Sequence, residues 1–414
     1  MPDTDIIVIG GGVAGLSSAR SLQRRGRKVT IIDPTPAVGG ASFGNAGAIS
    51  ARTVVPIALP GMLAKVPGWL LNPNGPLAVR PSYFPTALPW LCRWILASRM
   101  KRVLEISEAM HQLHGKSFEA WRALTGESFD RLFRTSGQIQ VWDEESETAT
   151  AAIERRIRDR YGIESRVLTP AELSGLAPGL DVNLIGRAIL IPGNGQSVSP
   201  AAATTYLLEA LQREGGILLR ERVLKLIPDG GRWLVMTNCG NHRAGHVVVA
   251  AGAWSKDFLA PLGVSVPLEA ERGYHAMLPR PNVQLPVPVM HKSRGFILSS
   301  MEDGLRIAGT VEIAGRDAPP NEDRARILLD HARQLLPGVT SDPPSFWMGC
   351  RPSIPDSLPV VGAVPQHAGL YVCFGHGHFG MTAAPPSGEL LAQIMLGERP
   401  FMDPALLGIA RFNG

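Results

Sequence analysis

The chain has 414 residues, of which 45% are hydrophobic and 19% are charged, so it can bury a sizeable core. Its 45 glycines and 35 prolines indicate many tight turns, and its aliphatic content excludes a disordered chain. The formal net charge of +5 is spread without a Lys/Arg run, which argues against a nucleic-acid partner. The four cysteines stand far apart and form no CxxC, so neither a zinc site nor a disulfide framework is indicated.

The N-terminus runs straight into an apolar strand, Asp5 to Ile9, with no basic n-region and no cleavage site. We therefore expect a cytoplasmic protein. The most apolar region, Gly61 to Met100, is interrupted by arginines and prolines, which excludes a membrane span of about 20 residues. This region favours packing between domains, and the alternative is a peripheral contact with the inner face of the cell membrane.

A glycine turn follows the first strand. Gly10, Gly12 and Gly15 have the GxGxxG spacing and open an amphipathic helix, and a second apolar strand ends at Asp33. In such units the first glycine makes the turn, the second admits a pyrophosphate and the third lets the helix pack on the strand. The acidic residue about 20 positions later holds a ribose hydroxyl, so the unit predicts dinucleotide binding.

The loop from Gly39 to Gly47 favours FAD over NAD. It is built almost entirely of small residues, with Ser42 and Asn45 as side-chain donors, and can lie under a cofactor that extends past the pyrophosphate. No second GxGxxG follows in a strand–helix context, so a nicotinamide domain is not expected. Electrons would then leave to a quinone, to oxygen or to a protein acceptor.

Later segments alternate between helical and strand patterns. Helices are predicted at 104–124, 148–160 and 200–213, and strands at 137–142, 216–227, 246–250, 295–299, 305–310 and 370–374. The strand at 246–250 runs into a small-residue turn and is placed in the dinucleotide-binding sheet. The short strands between 264 and 346 predict an antiparallel sheet of a second domain. A glycine loop, 375–381, precedes the last helix, a geometry that suits the edge of a flavin where negative charge develops.

The motifs together resemble the D-amino acid oxidase/glycine oxidase superfamily, and more narrowly its bacterial D-amino acid dehydrogenase branch. The resemblance rests on the GxGxxG with Asp33, the 39–47 loop, the Arg-Pro-x-x-Pro-Asp pattern from Arg351 to Gly362, and Gly-His-Gly near the end. It extends over essentially the whole chain. It implies oxidation of an amino acid at the α carbon by hydride transfer to the flavin, giving an imino acid that water hydrolyses to a 2-oxo acid and ammonia.

The resemblance also implies an α/β fold in which a Rossmann-type FAD-binding domain is interleaved with an α+β substrate domain built on an antiparallel sheet. We assign residues 1–60, 145–262 and 346–414 to the FAD-binding domain. Residues 61–144 and 263–345 are assigned to the substrate-binding domain, which carries the Pro-rich apolar insertion.

Three residues are predicted to serve catalysis. In the family pattern, the arginine that stands here as Arg351 binds the substrate carboxylate through two N–H groups, and guanidinium is the group suited to such bidentate recognition. The alternative is a structural ion pair with Asp356. His378, beside the flavin, orients the substrate or stabilises the reduced flavin, or it only bonds to the backbone.

The third predicted catalytic residue is Tyr274. Several family members place a carboxylate-binding tyrosine where this sequence has Phe296, which lacks a hydroxyl. Tyr274, or otherwise His291, could replace it, and Phe296 itself would offer an apolar wall to a cyclic D-proline-type substrate.

The cofactor-binding residues are predicted in the glycine turn, the small-residue loop, the middle sheet segments and the C-terminal loop. They are Gly10, Gly12, Val13, Ala14, Gly15, Asp33, Pro34, Gly40, Ala41, Ser42, Asn45, Gly47, Ala48, Ile49, Val223, Ala251, Gly252, Trp254, Arg351, Gly375, His376, Gly377, His378, Phe379, Gly380 and Met381. The FAD is expected to be non-covalent, although Cys350 beside Arg351 offers an attachment point.

The leading hypothesis is oxidation of a D-amino acid bound through its carboxylate, with D-proline or 4-hydroxy-D-proline as cyclic candidates. A second is oxidation of sarcosine, glycine or another N-methyl amino acid by the same fold. A third is an electron-relay subunit of a flavoprotein complex, with the apolar region as its docking face. Homo- and hetero-oligomers are both compatible with the sequence.

Overall fold

A computed structural model describes residues 4–62, 66, 68, 72 and 75–412. The strands are β1 Thr4–Ile9, β2 Val29–Ile32, β3 Ala48–Ile49, β4 Leu77–Val79, β5 Phe133–Arg134, β6 Gln138–Trp142, β7 Arg166–Val167, β8 Arg187–Ile191, β9 Gly195–Ser197, β10 Ile217–Leu219, β11 Val223–Asp229, β12 Arg232–Thr237, β13 Asn241–Val249, β14 Glu269–Leu278, β15 Val289–His291, β16 Phe296–Met301, β17 Gly304–Ile313, β18 Ser345–Ser353, β19 Val360–Ala363 and β20 Leu370–Phe374.

The α-helices are α1 Val13–Gln23, α2 Phe84–Ala97, α3 Met100–His114, α4 Ser117–Thr125, α5 Phe129–Leu132, α6 Ala149–Arg160, α7 Pro170–Leu176, α8 Pro200–Arg213, α9 Ser255–Leu259, α10 Glu322–Leu335 and α11 Gly380–Leu396. Short 3₁₀ turns precede or follow several of them, including Gly377–Phe379 at the start of α11.

The first sheet is the predicted dinucleotide-binding sheet. Strands β10, β2, β1, β13 and β20 are parallel neighbours, and β12 and β11 extend β13 as an antiparallel pair. In β1, β2 and the last residues of β13 the β-branched side chains are buried on both faces, as a parallel sheet covered by helices requires. Helix α1 packs against α8 and α11, which come from distant parts of the chain. The carboxyl end of β1 therefore lies at an edge to which the C-terminal region contributes.

The second sheet has nine strands in the order β18-β14-β17-β16-β15-β6-β8-β7, with β4 beside β17. It is mostly antiparallel, as predicted, and helix α10 packs its apolar side onto one face. That face forms a core separate from the core around α1. The opposite face is therefore free to face the cofactor-binding sheet.

The strand pairing places some segments differently from the predicted domain ranges. Strands β7 and β8 fall in residues 145–262 and most of β18 falls in residues 346–414, yet all three belong to the second sheet. The reason is hydrogen bonding: β8 is the antiparallel partner of β6, and β18 is the antiparallel partner of β14.

Two predicted elements are divided in the structure. The helix predicted at 104–124 is the pair α3 and α4, separated at Gly115 and Lys116. The strand predicted at 216–227 is the pair β10 and β11, because β10 hydrogen-bonds in parallel to β2 whereas β11 turns to pair with β12.

Within the described part of the apolar region, α2 is a helix of 14 residues that continues through Pro89. Its buried side contributes Ala87, Trp90 and Ala97 to the interior. Among the described residues, no helix is both long and apolar enough to cross a membrane. Residues 63–65, 67, 69–71, 73 and 74 of the predicted apolar insertion lie outside the described residues.

Candidate active site

A cavity of about 1140 Å³ lies between the two sheets. Pockets for a single small molecule have volumes of roughly 300–1,000 Å³, so this one has room for a large cofactor and a small substrate together. It is lined by the glycine turn, the small-residue loop, the strand ends near Ala251, the cavity face of β14 and β18, and the start of α11.

The glycine turn has the close approaches that a dinucleotide needs. Gly10 has φ +109°, a conformation that L side chains rarely adopt, and an added Cβ there would lie 2.4 Å from the Ala250 oxygen. A Cβ on Gly15 would lie 1.9 Å from the Gly10 oxygen, so only glycine lets α1 start this close to the strand. The first turn of α1 lines the cavity with its positive end, where a pyrophosphate would bind.

Asp33 fixes this turn from the end of β2. One carboxylate oxygen accepts from the Gly11 N–H at 2.7 Å and the other accepts from the Thr35 N–H at 2.7 Å. The carboxylate also lines the cavity, where it can meet a ribose hydroxyl.

The small-residue loop closes over the start of α1. The Ser42 hydroxyl accepts from the Val13 N–H at 3.0 Å, and the Asn45 side-chain oxygen accepts from the Gly47 N–H at 2.8 Å. Both side chains therefore shape the loop from within. Both also line the cavity, so the predicted ligand contact stays a prediction.

The second sheet holds the same loop from the other side. Arg306 donates to the Asn45 carbonyl at 2.7 Å, and the His275 Nδ1 lies 3.1 Å from the Gly44 carbonyl. The Trp347 ring stacks on the His275 ring, with centroids 5.1 Å apart, and leaves no room for a Cβ on Gly44. Burial and, secondarily, the positive charge of Arg306 lower the pKa of His275 to about 3, so His275 is neutral and packs as an uncharged ring.

The C-terminal loop brings two histidines to the cavity. His376 is buried, with its Nε2 3.1 Å from the Ser387 hydroxyl oxygen, and burial lowers its pKa to about 3. His378 is partly exposed to the cavity, and its Nε2 lies 2.8 Å from a carboxylate oxygen of Glu271. The following residues begin α11, so the positive end of this helix also faces the cavity.

Arg351 lies on β18 with its guanidinium in the cavity. The guanidinium crosses β14 above Gly273, where an added Cβ would lie 2.2 Å from its central carbon. It donates to the carbonyls of Thr310 at 3.0 Å and Gly309 at 3.3 Å, which leaves further N–H donors for a ligand. The alternative of an ion pair with Asp356 is not what the structure shows, because Asp356 pairs with Arg102 and Arg411.

Glu271 is a site residue that the sequence reasoning missed. It is buried on β14 in register with Arg351 on β18, so the two side chains project from the same face. Burial raises the pKa of Glu271, but the hydrogen bond and charge of His378 and the charge of Arg351 outweigh burial, and the net shift is downward. A usable signal was Gly273, since a glycine inside a strand often marks a close approach and residues two apart share its face.

Tyr274 lies on the opposite face of the same strand. Its hydroxyl donates to the Glu312 carboxylate and accepts from the Asn321 N–H at 3.1 Å, and its ring packs in the core under α10. Together, burial and Glu312 raise the pKa of Tyr274 to about 12. Tyr274 is among the residues that line the cavity, but its hydroxyl is bonded to Glu312 and Asn321 and not to Arg351, so its catalytic role stays a prediction.

Phe296 is also among the residues that line the cavity, although its ring is directed toward the core, so the apolar wall at this position stays a prediction. The Phe296 ring stacks between His291 and His331, at centroid distances of 5.4 and 5.5 Å, in the core on the α10 side. This contact also occupies His291, the other residue predicted to replace the tyrosine. Ile297, the next residue along β16, is the buried apolar side chain on the cavity face.

Most of the predicted cofactor-binding residues line the cavity. Those outside its lining are Gly15, Gly47, Ile49 and Gly375. Gly15 acts through helix packing, and Gly47 has φ +75° at the end of the loop. The individual contacts of the lining residues stay predictions, as does non-covalent attachment. Cys350 alternates with Arg351 on β18, and its thiol lies 3.9 Å from the Arg316 carbonyl.

Comparison with known proteins identifies the family. The model of the DAO family, FAD dependent oxidoreductases, matches residues 5–394. A D-amino-acid oxidase of Bradyrhizobium diazoefficiens is 34% identical over 98% of this chain and 98% of its own. A D-amino acid dehydrogenase of Vibrio cholerae is 31% identical over 96% of each chain.

A solved structure of L-proline dehydrogenase from P. horikoshii superimposes with a TM-score of 0.77 at 21% identity, covering 100% of this chain and 99% of the other. These findings confirm the α/β fold class and the FAD cofactor that the motifs predicted, and the glycine turn, Asp33 and the small-residue loop fit that cofactor. The chain belongs to the DAO family of FAD dependent oxidoreductases.

Proposed function

We propose that this enzyme oxidises a D-amino acid to the imino acid, which water hydrolyses to a 2-oxo acid and ammonia. The observation that carries the proposal is the Arg351 guanidinium, which reaches into the cavity lined by the FAD-binding segments. An arginine in such a place suits a carboxylate ligand. The D configuration is supported by the names of the two relatives, a D-amino-acid oxidase and a D-amino acid dehydrogenase.

The proposed reaction removes a hydride from the α carbon and a proton from the nitrogen, so that a C=N bond replaces the C–H and N–H bonds. FAD supplies the two-electron acceptor when bound. Arg351 holds the carboxylate and thereby sets the orientation of the α carbon, an effect that can account for several powers of ten in rate. His378 lies beside this position and is proposed to orient the substrate.

Secondary amines can undergo the same two-electron oxidation, since the neutral amine also has a hydrogen on its α carbon and a hydrogen on its nitrogen. D-proline and 4-hydroxy-D-proline are therefore included as substrates, and Ile297 on the cavity face offers them an apolar contact. Sarcosine and glycine are the second candidate class.

We further propose that the electrons pass to a quinone at an anionic membrane surface. Helix α2 exposes the apolar side chains of Phe84, Leu88 and Leu96 to solvent. The sequence contains no Asp or Glu between Asp33 and Glu105. The charged side chains in the segment that includes α2 are therefore all positive. Such a helix suits the interface of an anionic bilayer.

Anaerobic flavin bleaching tests the proposed reaction. We expect the 450 nm band to bleach with one or more of D-alanine, D-proline and 4-hydroxy-D-proline, and not with their L enantiomers. The relay hypothesis would be favoured if no amino acid bleached the flavin. Mixing the reduced protein with oxygen or with a water-soluble quinone then compares the two acceptors, and faster reoxidation by oxygen would contradict the quinone proposal.

The arginine variant tests the carboxylate anchor. Arg351→Lys keeps the charge but loses the fork, so we expect kcat/KM to fall by about 100-fold or more. Arg294→Lys is the matched control, because Arg294 pairs with Asp143 and does not line the cavity. Equal activities of the two variants would exclude Arg351 as the anchor.

A further inference from the structure

A negative charge stands beside the positive charge of Arg351. The Glu271 side chain is only 9% exposed, and the paired positions of Glu271 and Arg351 on adjacent strands put both groups on the cavity face. Paired residues on neighbouring antiparallel strands have Cβ atoms about 4.5–5.5 Å apart. Yet within the described part of the chain no ion pair joins them, because the Arg351 guanidinium turns toward the Gly309 and Thr310 carbonyls.

The carboxylate is held in its ionised form. A buried carboxylate is normally favoured as the neutral acid, and here His378 and Arg351 reverse that preference, so the net pKa shift is downward. His378 approaches one oxygen at 2.8 Å from the start of α11, and the Ser353 side chain also contributes a hydrogen bond to this carboxylate. The remaining buried histidine of that loop, His376, is bonded to Ser387 instead.

An α-amino acid carries its carboxylate and its ammonium group on the same carbon. The positive Arg351 on β18 and the negative Glu271 on β14 are complementary to these two charges: Arg351 can face the carboxylate and Glu271 can face the ammonium group. A buried charge without a partner is strongly disfavoured, so a site with both signs favours a ligand with both signs.

We infer that Glu271 binds the ammonium group of the substrate while Arg351 binds its carboxylate, so that the cavity selects α-amino acids over carboxylates that lack the amine. This inference rests on the proposed assignment of Arg351 and deepens it. His378 is a positioning residue in this arrangement, because it holds the Glu271 carboxylate toward the cavity. Before hydride removal the ammonium group must lose one proton, and the Glu271 carboxylate beside it can accept that proton.

Two ligands that cannot be oxidised separate the two charges. The first, 2-aminoisobutyrate, is an α-amino acid without an α hydrogen, and the second, pivalate, has a methyl group in place of its ammonium group. Their dissociation constants for the oxidised holoenzyme are measured by flavin difference spectroscopy. We expect the wild-type protein to bind 2-aminoisobutyrate more tightly than pivalate.

The decisive variant is Glu271→Gln, which keeps an acceptor for His378 and removes the charge. We expect it to bind 2-aminoisobutyrate about tenfold or more weakly, in line with the loss of a buried charge-assisted contact, and to bind pivalate as well as or better than the wild type. Glu269→Gln is the matched control. Glu269 is buried on the same strand but bonds to the Tyr83 hydroxyl, so this variant should leave both constants unchanged.

The inference is overturned if Glu271→Gln weakens both ligands equally, if it weakens neither, or if the wild-type protein does not prefer 2-aminoisobutyrate. Flavin content and melting temperature show whether the variant is folded, and Glu271→Asp provides a second variant that retains the charge. Arg351→Lys reports on the proposed function separately. Unchanged pivalate binding in Arg351→Lys would overturn the carboxylate anchor whatever Glu271→Gln does.

Discussion

Gly273 determines where the Arg351 guanidinium can lie. In a strand, every second residue projects its side chain from the same face. Gly273 has no side chain on the cavity face of β14, and the Arg351 guanidinium occupies the space that this leaves. The backbone of Gly273 is not in the left-handed region, so an alanine would be tolerated there by the strand itself. A methyl group at this position would therefore act on the guanidinium more than on the fold.

We predict that Gly273→Ala raises the KM for the amino-acid substrate by about tenfold with little change in melting temperature, since it displaces a binding group and not the core. Steady-state kinetics and thermal unfolding of the holoenzyme measure the two effects. Gly245→Ala is the control, because a Cβ at Gly245 on β13 would make only an ordinary contact of 3.8 Å. Loss of stability without a change in KM would contradict the prediction.

The sequence could predict the Arg351 site only in part. The family pattern identified Arg351 and His378, and the cavity contains both. It proposed Tyr274 and missed Glu271, because the face on which a strand residue lies depends on register, and the register of β14 is set by a distant partner, β18. Reasoning from residue type favoured the tyrosine hydroxyl, which the structure bonds to Glu312 instead.

At the scale of elements, helix α2 has two different surfaces. Trp90, Leu91 and Trp94 line the cavity, while Leu88 and Leu96 are 44% and 49% exposed. One side of α2 thus forms part of the cavity wall, and the other side exposes apolar side chains to solvent. If the exposed side bound a membrane, the cavity wall would lie at the membrane surface. The packing toward the cavity is what the first sequence alternative expected, and lipid contact on the other side stays a proposal.

We predict that the double variant Leu88→Asp/Leu96→Asp binds vesicles containing anionic phosphatidylglycerol at least about tenfold more weakly than the wild type, because the variant loses apolar burial and adds negative charge. Cosedimentation with vesicles measures the binding. The difference between binding to these vesicles and binding to vesicles of phosphatidylcholine alone gives the electrostatic contribution. The control is Val167→Asp, which alters an exposed apolar residue on β7. Equal binding by both variants would exclude α2 as the contact.

Element prediction succeeded where the pattern was local. Helix α8 and strand β20 have the predicted limits of 200–213 and 370–374, since the capping residue Ser199 and an apolar run are visible in the sequence itself. Element prediction failed where the limits of a strand depend on the strands that pair with it. The irregularity between Arg272 and Tyr274 in the pairing of β14 with β17 has only Gly273 as its signal in the sequence, and a glycine inside a strand marks either a bulge or a close approach.

At the scale of the whole molecule, buried neutral histidines join the parts around the cavity. His114 on α3 lies 2.8 Å from the Thr53 carbonyl, His275 lies 3.1 Å from the Gly44 carbonyl, and His376 contacts Ser387 on α11. Burial is the largest cause in each case, and it lowers their pKa values to about 4, 3 and 3. The folded chain therefore resists protonation at sites that the unfolded chain protonates near pH 6.5.

We predict that folding stability is level above about pH 6.5 and falls as the pH decreases below it, because the unfolded state then binds more protons than the folded state. Each of these histidines contributes a loss of about 2 kcal/mol at pH 5, from a difference of roughly 1.5 pH units at 1.36 kcal/mol per unit. Urea unfolding of the holoenzyme from pH 8 to pH 5 at constant ionic strength measures the slope. A midpoint that does not change over this range would contradict the prediction.

The small-residue loop has a consequence for how the protein is made. Its carbonyls are held by Arg306 and His275, and the sheet beneath it is completed by β13 and β20. The surface that receives FAD thus depends on strands from nearly the whole length of the chain. We expect a nascent chain on the ribosome to remain unable to retain the cofactor until its last strand and helix have emerged, so flavin loading follows the completion of synthesis.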